Sequence, residues 1–311
     1  MKKLLTSLLF VFAALFAVDR IGGQIMWWVN QHTQSKLASK LKYLANEVDA
    51  DVVLLGTSRC QYHYVSSILA DSIDMSVYNG GIDGSDCIYA HYIALNLILL
   101  HHSPKMICLD LQANDYAVWT KSFIPTSFFA PYIGRSERAD SIFREAGNYW
   151  PYRLCHLYRY NAQAVSNIGK LLINGQQGDK GYYPLPSMFV PNKLDKVHKS
   201  ENVDTLKLQY LRRFITLCKS HHIALVFMVS PAYSEADADL YDVLKDVARE
   251  NGIPFFDYHT QGLFLDHPEY FKDNGHLWDK GARLYTSIFA HDLKRYINSI
   301  QPIRDEKQAE N

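Results

Sequence analysis

Neither sign of charge predominates in this chain: 32 Lys and Arg offset 32 Asp and Glu across 311 residues. Phosphate binding needs a concentrated basic surface, so nucleic acid is not expected as a partner. No basic run follows Lys2-Lys3, and no internal repeat is present. Cysteine is scarce. Its five positions (Cys60, Cys87, Cys108, Cys155, Cys218) never take the Cys-x-x-Cys spacing of a metal or redox site. The odd count leaves at least one thiol without an intrachain partner, and nothing identifies a disulfide. Cys108 and Cys218 lie in apolar runs and read as small core residues. No His-x-x-x-His or His/Glu spacing supports a metal, so neither metal nor cofactor is expected. The loop at Gly80-Gly81 lacks the Lys and Ser/Thr of a phosphate loop, which argues against a phosphate-binding flavodoxin-like domain. What remains, 48% hydrophobic, is enough for one large globular domain or a domain with an elaborated insertion.

Apolar residues form one long run, Leu4 to Val18, behind Met1-Lys2-Lys3. Fifteen residues rise roughly 22 Å, short of a hydrocarbon core of roughly 30 Å. An uncleaved anchor over residues 1–30 would continue through Asp19-Arg20 to Ile25-Met26-Trp27-Trp28-Val29, whose tryptophans suit a membrane interface. A cleaved signal peptide competes, although Leu15-Phe16-Ala17 is a poor cleavage site. A buried core helix is the third reading. With Lys2-Lys3 held in the cytoplasm, the globular part would be periplasmic, anchored to the inner membrane.

Residues 31–50 show helical apolar spacing (Leu37, Leu41, Leu44, Val48) and predict a linker helix. Short apolar runs predict five strands, at Asp51–Gly56, Met75–Asn79, Lys105–Leu111, Ile223–Ser230 and Ile253–Tyr258. Helical segments separate them: Ser85–His101, Thr205–His221, Ala236–Asn251 and a last helix over Gly281–Ile300. This alternation predicts an α/β fold, a three-layer α/β/α sandwich on a roughly five-stranded parallel, flavodoxin-like sheet within 51–303. Residues 117–202 break the pattern with aromatic clusters and read as an insertion, part of which could face substrate. Residues 304–311 read as a polar, frayed tail.

In such sheets the site lies beyond the carboxyl ends of the strands. Ser58 follows the first strand in Gly56-Thr57-Ser58-Arg59, a turn able to expose a nucleophilic hydroxyl. Asn79-Gly80-Gly81-Ile82-Asp83-Gly84 follows the second, where Gly81 could turn its N–H toward an oxyanion or serve only as a turn. Asn114, in Gln112-Ala113-Asn114-Asp115, could donate to the same oxyanion or cap a turn. Asp273-Asn274-Gly275-His276-Leu277 places a carboxylate three residues ahead of a histidine, the spacing of an orienting acid and a base. Arg59 is open to two readings, contact with an anionic substrate or a surface pair with an acid.

This order of blocks, ending in Asp-x-x-His-Leu with a trailing Gly281 and Tyr285-Thr286, resembles the SGNH/GDSL hydrolase superfamily over residues 51 to 300, apart from the insertion. Thr57 stands where that family usually has Asp, and Gln112 where it has Gly. The resemblance implies Ser58 as nucleophile, His276 as general base and Asp273 as its orienter. The oxyanion hole would comprise the N–H groups of Ser58 and Gly81 with the Asn114 amide. The layout is also similar to that of extracytoplasmic proteins that work with membrane-bound O-acyltransferases on surface glycans. The resemblance therefore implies an esterase, deacetylase or O-acyltransferase acting on an acyl-ester or glycan substrate. The altered blocks leave a catalytically inactive scaffold or glycan-binding module as the alternative.

Overall fold

The computed structural model describes residues 1–85, 88–118, 127–161, 163–171, 178–186, 193–196 and 203–309. Helices α1 (Lys2–His32) and α2 (Lys36–Asn46) precede strand β1 (Val52–Leu55). Two short helices, α3 (Ser58–His63) and α4 (Ser66–Ile73), lead to β2 (Val77–Asn79). Helix α5 (Ile88–Ile98) is followed by β3 (Met106–Asp110) and then by α6 (Glu137–Glu145), α7 (Tyr149–Leu154) and α8 (Ala164–Gly169). The remainder alternates: α9 (Thr205–Ser220), β4 (Ala224–Val229), α10 (Ala238–Asn251), β5 (Phe255–Asp257) and α11 (Asp279–Ala309).

The chain divides into two compact units, one of residues 49–88, 103–122 and 177–311, the other of residues 1–48, 89–102 and 123–176. The first holds the sheet. Its strands are all parallel in the order β2-β1-β3-β4-β5, the flavodoxin-like arrangement expected from the apolar runs. The register sets Val53 beside Tyr78 and Ile107, and Leu109 beside Phe227. On one face Leu54, Cys108, Val226 and Met228 pack with Tyr285, Phe289 and Leu293 of α11. Val53, Ile107, Leu109 and Phe227, alternating with them, are equally buried, so water is excluded from both faces. Each such side chain contributes about 1.5–3 kcal/mol by leaving water.

Local chemistry sets the helix ends. Asp204 accepts the N–H groups of Leu206 and Lys207 at the start of α9, and Asp237 that of Leu240 in α10. Gly252 closes α10 in the left-handed region, as its place after the helical run suggests. Polar ties join α11 to the link between α3 and α4. Tyr285 donates to the Tyr64 hydroxyl at 3.0 Å, and Tyr64 to Asp110 at 2.7 Å. The Thr286 hydroxyl accepts the Val65 N–H at 3.0 Å.

Two departures from the sequence reading concern this unit. Helices α3 and α4 occupy a stretch with no helical assignment from the sequence. The expected frayed tail is instead helical as far as Ala309, where Arg304, Glu306, Lys307 and Gln308 are good helix formers.

In the other unit α1 is one helix of 31 residues, long and apolar enough to cross a membrane, with none of its apolar window buried. The core-helix reading of this segment is thereby overturned. Its C-terminal part is packed: Met26 and Val29 meet Tyr160, and Trp27 lies edge-on to Tyr132 at 5.7 Å. Of the aromatic-rich stretch 117–202, residues 123–176 belong to this unit, and 117–122 and 177–202 to the sheet-bearing one.

Candidate active site

The turn from β1 into α3 is tight because Gly56 has no side chain: a Cβ there would lie 2.5 Å from the Cys60 Cβ and 2.9 Å from that of Asp110. Ser58 is the first residue of α3, where a helix leaves N–H groups without intrahelical acceptors. Its half-buried side chain meets the loop before α11: Ser58 Oγ lies 2.8 Å from His276 Nε2. On the far side of the ring, His276 Nδ1 lies 2.9 Å from Asp273 Oδ1. A carboxylate only accepts, so Nδ1 carries the hydrogen, which leaves the Nε2 lone pair to face the serine.

The acid is itself held by the loop. Asp273 Oδ1 accepts the N–H groups of Gly275 and His276, each at 2.9 Å. Partial burial opposes its charge, but the His276 ring and these two N–H groups hold its pKa below the ordinary carboxylate value. A second histidine braces the loop from beneath: buried His63 accepts the Leu277 N–H on Nε2 at 2.9 Å. Burial, followed by the nearby His276 and Arg59, pushes the His63 pKa well down and keeps it neutral. Tyr62 stands edge-on to His276 at 5.8 Å and donates to Asp83 at 2.7 Å.

Ser58 and His276 open onto a cavity of about 630 Å³ that also takes in Gln112, Ala113, Asn274 and residues 193–196. A second serine and histidine line it. Ser234 Oγ is 3.2 Å from His259 Nε2, but that nitrogen also lies 3.0 Å from the Ser234 carbonyl oxygen. The carbonyl cannot donate, so Nε2 carries the hydrogen, and Nδ1 accepts from the Tyr241 hydroxyl at 3.3 Å. Burial, together with the positive Arg59, drives the His259 pKa down to about 4.

Of the two readings of Arg59, burial overturns the surface pair. It is no surface residue, being 6% exposed, yet it lines the cavity. It donates to the Ser230 carbonyl at 3.2 Å and hydrogen-bonds Tyr241. Burial works against its charge, while Tyr241 and Asp110 raise its pKa. Asp110 in turn is pushed up to about 6 by burial, with Arg59 pulling the other way. The two positions that depart from the family pattern meet: Gln112 Nε2 donates to Thr57 Oγ1.

The oxyanion assignments fare differently. Gly81 does not offer its N–H to the cavity, because that N–H donates to Asn79 Oδ1 at 3.0 Å. Its lack of a side chain serves packing instead, since a Cβ there would lie 2.4 Å from the Gln61 nitrogen. Asn114 falls in a 3-10 turn at Ala113–Tyr116 just past β3, and its side chain lies outside the described residues. Sequence reasoning missed His63, Ser234, Tyr241 and His259. Each is a single polar residue with no motif around it, so only the fold brings them together.

No family model and no curated protein matches this chain. Among solved structures it is similar to a protein assigned to the G-D-S-L lipolytic family from Desulfitobacterium hafniense, at 10% identity and a TM-score of 0.40. That match covers 78% of this chain and 98% of the other. It is also similar to a protein assigned as an acylhydrolase from Bacteroides fragilis, at 15% identity and a TM-score of 0.38, covering 78% of this chain and 87% of that one.

Proposed function

We propose that this protein is a serine-dependent acyl-ester enzyme of the SGNH/GDSL type, held by its N-terminal helix outside the inner membrane. The observation that carries the reading is the unbroken chain from Ser58 Oγ through His276 to Asp273, at 2.8 and 2.9 Å. As Ser58 attacks an ester carbonyl, its proton passes to His276 Nε2, and Asp273 stabilises the imidazolium. The Ser58 N–H, at the start of α3, donates to the developing oxyanion. Collapse of the tetrahedral intermediate expels the alcohol, which takes the proton back from His276 and leaves an acyl group on Ser58. Attack by water regenerates the enzyme as an esterase or deacetylase. Attack by a sugar hydroxyl makes it an O-acyltransferase. The protein parts are the same for both.

The exposed apolar helix supports export with a retained anchor, and Lys2-Lys3 ahead of it supports a periplasmic globular part. A cell-surface glycan is the favoured acceptor, with a membrane-bound O-acyltransferase as the partner that would supply acyl groups. A non-catalytic scaffold is the competing reading, favoured by the engaged Gly81 N–H and by Thr57 and Gln112. Hydrolysis of 4-nitrophenyl acetate by the detergent-solubilised full chain separates them. Turnover that disappears in Ser58→Ala supports the enzyme; equal rates in both proteins, or none in folded wild type, favour the scaffold.

A further inference from the structure

The apolar run of α1 stops at Asp19-Arg20, twelve residues short of the helix end at His32. Both charges are taken up by a neighbouring segment of the same unit. Asp19 accepts the His156 and Leu157 N–H groups at 3.0 Å each and the Cys155 thiol at 3.1 Å. Arg20 donates to the Leu154 carbonyl at 2.9 Å and lies over the Phe16 ring. Two glycines let the segments touch: a Cβ on Gly23 would lie 2.4 Å from the His156 Cβ, and one on Gly22 2.9 Å from Leu157. The chain at 154–157 is therefore fixed against the turns of α1 that follow the apolar run.

The chain around that segment exposes several large apolar side chains. Trp150 is 65% exposed, Leu154 63%, Val165 88% and Ile168 50%. On α1, Ile21, Ile25 and Trp28 are exposed in the same way, while Gly23, Met26 and Val29 are buried. The exposed apolar surface of the helix thus continues past Val18 and adjoins that of residues 149–168. Charge points the same way. Between residues 146 and 178 the sequence has Arg153, Arg159 and Lys170 but no Asp or Glu. Exposed tryptophan and leucine, interleaved with cations and free of acids, suit the headgroup layer of an anionic bilayer.

Helix length sets the depth. A hydrocarbon core of about 30 Å needs about twenty helical residues, which from Leu4 ends at Gly23. Asp19, Arg20 and the docked 154–157 segment then fall at the edge of the hydrocarbon, where a bare carboxylate would be costly and a triply hydrogen-bonded one is tolerated.

Building on the anchor reading above, we infer that residues 149–168 are a second membrane contact, a lipid-facing collar seated in the bilayer interface beside α1. The occupant of this apolar surface is lipid, continuous with the lipid around the anchor. The full chain would be reconstituted in phosphatidylcholine–phosphatidylglycerol vesicles with brominated acyl chains, and its tryptophan emission compared with that of Trp150→Phe. The difference reports Trp150, whose emission is expected to fall by about half or more relative to unbrominated vesicles. A Phe10→Trp variant, compared with the unsubstituted chain in the same vesicles, reports the anchor. Quenching of the indole added by Phe10→Trp, with none at Trp150, overturns the collar and leaves the anchor standing; quenching at neither overturns both. A spin label at Val165→Cys in a Cys155→Ser background, read for accessibility to lipid-soluble oxygen, keeps the test open should Trp150→Phe fold poorly. Unquenched Trp150 with Cys155 cross-links between copies would assign the surface to a second copy of the chain and overturn the proposal.

Discussion

Two serine–histidine pairs face one cavity, and they differ in what stands behind the imidazole. His276 has a carboxylate on Nδ1, so its Nε2 lone pair faces Ser58. His259 has a backbone carbonyl on Nε2, so it turns a hydrogen toward Ser234 and its lone pair toward Tyr241. The first can take a proton from its serine; the second cannot. Proximity of serine and histidine does not make a dyad; the third partner, by fixing the tautomer, decides. The His259 network has another consequence. Arg59 donates into Tyr241, Tyr241 into His259, and His259 into Ser234, so a buried relay fixes the guanidinium next to the nucleophile.

The difference is sharpest under substitution. His276→Ala is expected to lower ester turnover by about 10³-fold or more, and His259→Gln by less than about tenfold. Equal losses in steady-state assays of the two folded variants would erase the distinction. Asp273→Asn should cost about 10²- to 10⁴-fold in kcat, because an amide can hold His276 in the tautomer that presents Nε2–H to Ser58. Retention of full kcat would mean that the carboxylate does not set the ring.

Acid should act through the neutral histidines. His259 and His91 are each pushed to about 4 by burial, and the unfolded chain binds their protons at about 6.5. Their contribution is complete above about pH 6.5 and is lost as pH falls toward 4, since the unfolded state then binds more protons. Asp110, raised to about 6 by burial, works in the opposite sense between about pH 4 and 6 and offsets part of the loss. Denaturant unfolding at pH 7.5 and 5 should show a net loss of stability, to which the buried, neutral His63 adds in the same direction, with about 2 kcal/mol of the loss absent in His259→Gln. A stability that rises on acidification would contradict a neutral, buried His259. Gln112→Ala, which removes the bond to Thr57, should cost only about 1 kcal/mol of stability and a few-fold in turnover.

The sheet could be read from the chain because each buried parallel strand is a short, nearly continuous apolar run with a loop or a helical pattern on either side. The acid–base half of the site could be read because Asp273 and His276 share one turn. Its serine could be named only with the strand pattern and the family resemblance, since Gly-x-Ser alone is common; Ser58 meets His276 because β1 and the loop before α11 end at the same edge. Gly81 was misread for a physical reason: a glycine that permits close packing looks, in sequence, like one that frees an N–H. The short helices α3 and α4 carry little apolar periodicity of their own. Their order comes from contacts far along the chain, such as Val65 with Thr286 and Tyr64 with Tyr285.

The most direct test is covalent. A fluorophosphonate probe reacts with a serine only where a base removes its proton, and peptide mapping identifies the serine modified. The tautomers assigned above require the label on Ser58, lost in Ser58→Ala and His276→Ala and retained in Ser234→Ala. A label on Ser234, or none on folded wild-type protein, would contradict the account.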